Sequence, residues 1–178
     1  MEAPVAFRQQ LLGAIPRLRR YARSLVFDPH AADDLVQTAL ERALSHWHQF
    51  DQRRDILVWT ISIAHNAYMD DRRRHARMPI AEPHETLPEG ERHAANSPDL
   101  GLRMDLVAAL KRLPIEQREP LLLVTLEQLS YAECAELLRI PIGTVMSRIS
   151  RARVALRALL DGPTPTTFSA PATLRRVI

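Results

Sequence analysis

Residues 129–157, LSYAECAELLRIPIGTVMSRISRARVALR from Leu129 to Arg157, decide the fold. Ser130 suits a helix N-cap and Glu133, three positions on, can close a capping box, so a helix is expected from there to about Arg139. Pro141 stops it and restarts the chain. Val145, Ile149, Ala152, Leu156 and Leu159 then recur at helical spacing and give a second helix one apolar face. At about 100° per residue, Thr144, Ser147, Arg148 and Arg151 gather on the opposite face. Two helices about a tight turn, the second polar and cationic near its N-terminus, form a helix-turn-helix that suits a DNA major groove. A basic amphipathic helix with a solvated face gives the same pattern, so this stretch alone leaves both readings open.

Composition points the rest of the chain the same way. The 178 residues suit one domain or two small ones, and 46% apolar residues are enough for real cores. Aromatics make up only 5% and glycine numbers five, while Ala, Leu and Arg recur, which favours helix over sheet. Lys111 is the single lysine, and arginine's planar fork suits phosphates and guanine edges. The net charge of +3 is modest, so charge distribution carries the nucleic-acid argument. Arg72, Arg73, Arg74 and Arg77 form one cluster and Arg148, Arg151, Arg153 and Arg157 another. The N-terminus does not read as a signal segment and no apolar run approaches the ~18 residues of a membrane span, so a cytoplasmic protein without membrane insertion is expected. The lone Cys134 excludes an internal disulfide and a cysteine-based zinc site, and reads as a small core residue.

Upstream, Phe7, Leu11, Ile15, Leu18, Ala22 and Leu25 keep helical spacing over 5–26, with Gly13 and Pro16 arguing for a kink or break. Asp28 and Pro29 read as N-cap and first helical residue of a helix to about Trp47. Its wide apolar stripe leaves Asp33, Asp34, Gln37 and Glu41 towards solvent or a partner. A loop over 48–54 follows, and Asp55 caps a helix whose expected buried stripe is Ile56, Trp59, Ile63 and Ala67 and whose end carries DDRRRHAR. Residues 78–98 turn rich in proline and charge and read as a flexible linker. Beyond it, a helix over about 99–113 groups Leu102, Leu106 and Leu110 on one face, and another over 115–128 contains Pro120, which is expected to distort its first turns. The tail from Gly162 reads as disordered or as a short binding segment. The fold expected is all-α: two small helical domains, 1–77 and 99–161, joined by the flexible polar linker, the second containing the helix-turn-helix.

The motifs in order, DDLVQTALERAL, a Phe-containing loop, VWTISIAHNAYMDDRRR, a polar linker, LPIEQREPLLL, LSYAECAELL and IPIGTVMSRISRAR, resemble a bacterial RNA polymerase sigma factor of the extracytoplasmic-function group. The likeness runs from about Ile15 to Leu160. It implies a subunit that binds core RNA polymerase and promoter DNA, needs no cofactor or metal, and is controlled by an anti-sigma factor. Residues 1–77 would bind core and read and melt the minus-ten element; residues 99–161 would read the minus-thirty-five element.

The resemblance also assigns residues. Asp33, Asp34, Gln37 and Glu41 would form the core-binding surface, with Thr38 standing where the family usually has Glu. The loop from Phe50 to Leu57, with Arg53 and Arg54, matches the one that captures a flipped non-template base, Phe50 serving as wall or wedge. Trp59 reads as core. Asn66, Arg72, Arg73 and Arg74 would hold minus-ten phosphates, which supply affinity more than sequence choice. Thr144, Ser147, Arg148 and Arg151 would read the minus-thirty-five element, with Met146 where the family often has a cation.

Two other classes compete. A stand-alone helix-turn-helix regulator accounts for 129–157 and leaves the DDLVQ helix and the aromatic loop unexplained. A metal-dependent enzyme has His65, Asp70, Asp71 and His75 on one helix, where only Asp71 and His75 are spaced to share an ion.

Overall fold

A computed structural model describes residues 3–77 and 98–161; apart from Pro98, the expected linker lies outside the described residues, as does the expected tail over 162–178. The described residues are helical, without a strand. The helices are α1 (Val5–Val26), α2 (Pro29–Ser45), α3 (Ile56–Arg77), α4 (Pro98–Arg112), α5 (Ile115–Thr125), α6 (Tyr131–Leu138) and α7 (Ile142–Leu160), with a 3₁₀ turn, Trp47–Gln49, after α2.

Helix α1 runs through Gly13 and Pro16 as one helix, without the break that would have made two half-helices. Pro16 lies on the exposed side, where the carbonyl deprived of its N–H partner can be met by water. The opposite face buries Phe7, Leu11, Ala14, Leu18, Tyr21, Ala22 and Leu25. Fully burying one such large apolar side chain contributes about 1.5–3 kcal/mol, enough to hold the helix across the proline. Phe27 closes α1 in the left-handed region at φ 62°. Its ring lies under the guanidinium of Arg118, 4.7 Å from its centroid, and the ammonium of Lys111 at 5.6 Å. Those cation–π contacts offset the roughly 1–2 kcal/mol that a non-glycine residue costs there.

Asp28 caps α2 by accepting from Ala31 N at 2.7 Å, with Pro29 in the first helical position, as expected. In α3, Asp55 accepts from Leu57 N at 2.7 Å. The deeply buried face is Leu57, Thr60, Ile61, Ala64 and Ala67, which keeps Ala67 of the expected stripe and corrects its other members. Ile56, Trp59 and Ile63 are half-buried and pack on a second apolar cluster made by Ala3, Phe7, Leu11 and Ala43, with Ile56 and Ile63 touching the main core as well. The helix has apolar residues on two adjoining faces, and spacing alone does not rank them.

The second half departs from expectation in α4. Leu102 is 69% and Leu106 40% exposed, and burial is confined to the end of the segment, at Ala109 and Leu113. Periodicity identifies residues that share a face; it does not supply a neighbour for that face. In α5 the chain passes through Pro120, which is fully buried, and the helix ends at Thr125, short of the expected Gln128. The freed carbonyl belongs to Glu116, which is exposed. The helix-turn-helix forms as read: Glu133 N donates to Ser130 Oγ and Ser130 N donates back to the Glu133 carboxylate. Arg139 at φ 54° ends α6, and Ile140 N donates to Ala135 O at 3.1 Å to close the turn.

The two halves are in contact. One apolar cluster includes Leu18, Tyr21 and Ile61 from the first half and Leu121, Leu123 and Val145 from the second. This packing joins the two helical domains that the sequence separates by its expected linker.

Candidate nucleic-acid and polymerase interfaces

Helix α7 buries Val145, Ile149 and Ala152 and turns the other side of its N-terminal half outward. Ser147 and Arg151 are exposed there, with Thr144 and Arg148 half-buried beside them. Arg151 Nε donates to Ser147 O at 3.3 Å, and Ser147 Oγ to Thr144 O at 3.0 Å. These bonds hold the Arg151 fork along the face, where its free donors can meet base edges or phosphates. Met146, half exposed at 51%, borders the same end of the helix.

The loop after the 3₁₀ turn is built by Asp51. Its carboxylate accepts from Arg53 N at 3.0 Å and its carbonyl from Arg54 N at 2.9 Å, a tight turn that fixes both arginines at its tip. Phe50 packs its ring 5.7 Å from Phe7 and 5.2 Å from Trp59, centroid to centroid. Phe50 is thus a wall anchored in an aromatic cluster. Its remaining surface borders a cavity of about 260 Å³ shared with Phe7, Gln10, Trp47, His48 and Gln52. Of those neighbours, sequence reasoning missed the contribution of Gln10 and Gln52, which come from separate elements.

Arg53, Arg54 and Asn66 line a second groove of about 570 Å³ with Trp59 and Ser62. Its far wall is α6, through Glu133, Glu136 and Arg139. Arg54 Nη1 donates to Glu136 Oε1 at 2.7 Å. Arg72, Arg73 and Arg74 are not brought to this groove. They lie beyond Asn66 along α3, with Arg73 and Arg74 paired to Asp70 and Asp71 at 3.4 and 3.8 Å.

The acidic face of α2 is exposed as expected, with its members differently engaged. Asp33 pairs with Arg19 of α1 at 3.0 Å, and Gln37 donates to Glu41 at 2.9 Å. Asp34 faces a shallow groove of about 270 Å³ with Thr38, Arg42, Tyr68, Asp71 and Arg74. Among the described residues no three of His, Cys, Asp and Glu could hold a metal. His65 turns inward to Glu119, so the helix does not assemble the ligands that a metal site would need.

Sequence reasoning missed the contact between α1 and α5. The Glu127 side chain is fully buried and its carboxylate accepts from Arg17 Nε at 3.2 Å and from Arg20 Nε and Nη2, each at 3.0 Å. The same arginines donate to the carbonyls of Glu127, at 2.6 Å, and Leu126, at 2.9 Å. Cations here also complement the C-terminal dipole of α5. Glu119 Oε1 lies 2.6 Å from both the Tyr21 hydroxyl and His65 Nδ1. Burial, and then the Glu119 carboxylate, push the Tyr21 hydroxyl well above its ordinary pKa. Arg118 Nη2 donates to Leu25 O at 2.9 Å, and burial lowers the pKa of its guanidinium.

The comparisons agree with this layout. Residues 103–156 match the family described as Sigma-70, region 4, and residues 11–65 the Sigma2 domain of PhyR. The chain is similar to the ECF RNA polymerase sigma factor EcfG of Rhodopseudomonas palustris, 35% identical over 97% of this chain and 95% of that one. It is similar to the ECF sigma factor SigM of Bacillus subtilis, 30% identical over 80% of this chain and 87% of that one. Among solved structures it resembles the sigma factor RpoE of Bartonella quintana in complex with the anti-sigma factor NepR. That match has a TM-score of 0.72 and 28% identity and covers 89% of this chain and 99% of that one. CnrH in complex with the cytosolic domain of CnrY matches with a TM-score of 0.65 and 26% identity, over 89% and 90%. With helices, helix-turn-helix and near-complete coverage in agreement, the chain belongs to the extracytoplasmic-function group of RNA polymerase sigma factors.

Proposed function

We propose that the chain divides promoter-specific initiation between its halves. Residues 1–77 bind core RNA polymerase through Asp33, Asp34, Gln37 and Glu41. They engage the melted minus-ten strand through Phe50, Arg53, Arg54 and Asn66, with Arg72, Arg73 and Arg74 on phosphates further along α3. Residues 99–161 read the minus-thirty-five duplex through Thr144, Ser147, Arg148 and Arg151. The observation that carries this reading is the separation of two exposed cationic sets, one beside an aromatic-walled cavity and one on a helix-turn-helix. The first suits an unstacked strand and the second a duplex groove.

The division also favours a polymerase subunit over a stand-alone regulator, which has no use for a strand-binding cavity. No helix among the described residues is long and apolar enough to cross a membrane, and the site of action is the cytoplasm, with the polymerase. The chain works through binding surfaces and not through catalysis. An anti-sigma factor controls it, a reading supported by the likeness to RpoE held by NepR.

Run-off transcription with purified core enzyme on pooled genomic fragments tests the proposal. The chain is expected to direct initiation from a discrete set of starts and to bind promoter duplex weakly by itself. Initiation from none of the fragments sinks it.

A further inference from the structure

Ser147 and Arg151 lie one helical turn apart on the exposed side of α7, and their hydrogen bonds give them different parts at a duplex. Ser147 Oγ donates its single proton to Thr144 O at 3.0 Å and accepts from Arg151 Nη2 at 3.4 Å. A hydroxyl so engaged has no proton left for a phosphate oxygen or a base acceptor. We propose that Ser147 is a positioning residue that reads promoter sequence only through Arg151, by presenting that guanidinium end-on to a guanine; this rests on the duplex-reading role given to α7 above and refines it.

The bonds of Arg151 decide which edge of its fork is offered. Nε donates to Ser147 O at 3.3 Å and one Nη2 proton goes to Ser147 Oγ, so the Nε–Nη2 edge is turned to its own helix. Both protons of Nη1 and the second of Nη2 remain free at the end of the planar group. A bidentate contact from that end needs two acceptors side by side. Guanine presents O6 and N7 in the major groove, whereas every other base presents at most one acceptor there.

The neighbouring residues are not held in this way. Among the described residues, neither the Thr144 hydroxyl nor the Arg148 guanidinium makes a hydrogen bond or ion pair. Thr144 thus keeps its proton for a phosphate, and Arg148 keeps all its donors without a fixed fork. A fork aligned before contact loses less rotamer freedom on binding. The bonds that align Arg151 are long and exposed, so their removal is expected to cost about three- to tenfold in recognition of one guanine and not to abolish binding.

Holoenzyme on a promoter from the run-off screen tests this, with each minus-thirty-five guanine replaced in turn by 7-deazaguanine, which lacks only the N7 acceptor. The native chain is expected to lose about tenfold in affinity at one position, and Arg151→Ala to lose nothing further there. Ser147→Ala is expected to shrink that loss to about threefold, and Ser147→Thr, whose hydroxyl can make the same two bonds, to restore it. In the Arg151→Ala background, Ser147→Ala is expected to cost nothing more. A full additional loss in the double variant would show that Ser147 touches DNA itself and overturns the proposal.

A second arm needs no promoter. In the nitrogen-15-labelled full chain, the heteronuclear NOE of the Arg151 Nε–H group is expected to exceed that of Arg153, which makes no hydrogen bond or ion pair among the described residues. It is expected to fall to the Arg153 level in Ser147→Ala and to persist in Ser147→Thr. Equal values for the two arginines in the native chain overturn the proposal. Absence of initiation from every fragment, with the NOE contrast intact, removes the duplex-reading role and the guanine contact with it, and leaves the hold of Ser147 on Arg151 in place.

Discussion

Tyr21 donates its hydroxyl to Glu119 at 2.6 Å across 98 residues of sequence, joining the C-terminal part of α1 to the middle of α5 in a site closed to solvent. Removing only that oxygen, with Tyr21→Phe, leaves the ring packed and a buried carboxylate short of one donor. The expected cost is about 1–3 kcal/mol, read as a lower urea midpoint with an unchanged slope. An unaltered midpoint would mean the bond adds nothing to the stability of the fold.

Cys134 is fully buried, and desolvation pushes its thiol up to about 12. In the native chain it is expected not to react with a thiol reagent at about pH 8 and to react once unfolded. The sign of the pH effect follows from the same shift. The folded pKa lies above the unfolded value, so this contribution is complete below about pH 8.5 and is lost as pH rises towards 12. Cys134→Ala is expected to flatten the decline in urea midpoint between about pH 8 and 11. An identical decline in both proteins would assign the alkaline loss elsewhere, with Tyr21, whose shift has the same sign, the next group to examine.

Phe50 stands on Phe7 and Trp59 at the mouth of a cavity, so Phe50→Ala removes a wall with its supports still in place. Stacking on one base is worth about 1–3 kcal/mol, which predicts a fall of roughly five- to a hundredfold in open promoter complexes. Permanganate reactivity of unpaired thymines measures it. Core binding, followed by pull-down, is expected to stay intact; a loss in both assays would show that the loop also meets polymerase.

Asp34→Ala and Arg148→Ala are expected to fail in opposite ways. The first weakens capture of core enzyme and leaves promoter choice unchanged once holoenzyme is formed. The second leaves core capture intact and lowers discrimination of the upstream element by about 1–3 kcal/mol, the worth of one arginine–guanine pair. Competition between promoter fragments separates the two outcomes, and equal losses of core capture in both variants would refute the division of labour.

The parts of this fold legible in the sequence are those whose signals are local. Ser130 and Glu133 are three residues apart, Asp28 sits against Pro29, and their caps form as read. Where a signal needs a neighbour to interpret it, reading stops short. Leu102 and Leu106 share a face of α4 whether or not anything covers them, and Trp59 is as regularly spaced as Leu57. The interdomain pairs are further out of reach, because Arg17 and Glu127 are 110 positions apart. One cue for them does exist: Glu119 and Glu127 bracket the apolar run PLLLVTL, and acids so placed need cations that the run itself does not contain.

Continuity of α1 has a mechanical consequence. At 1.5 Å per residue, the ~20 Å from Phe7 to Arg20 is one rod, unbroken at Pro16, with the base of the aromatic loop at one end and the arginines that grip α5 at the other. The aromatic platform under Phe50 and the arginines that meet Glu127 therefore sit on one continuous helix, so both are placed by the same packing of α1 on α2 and α3.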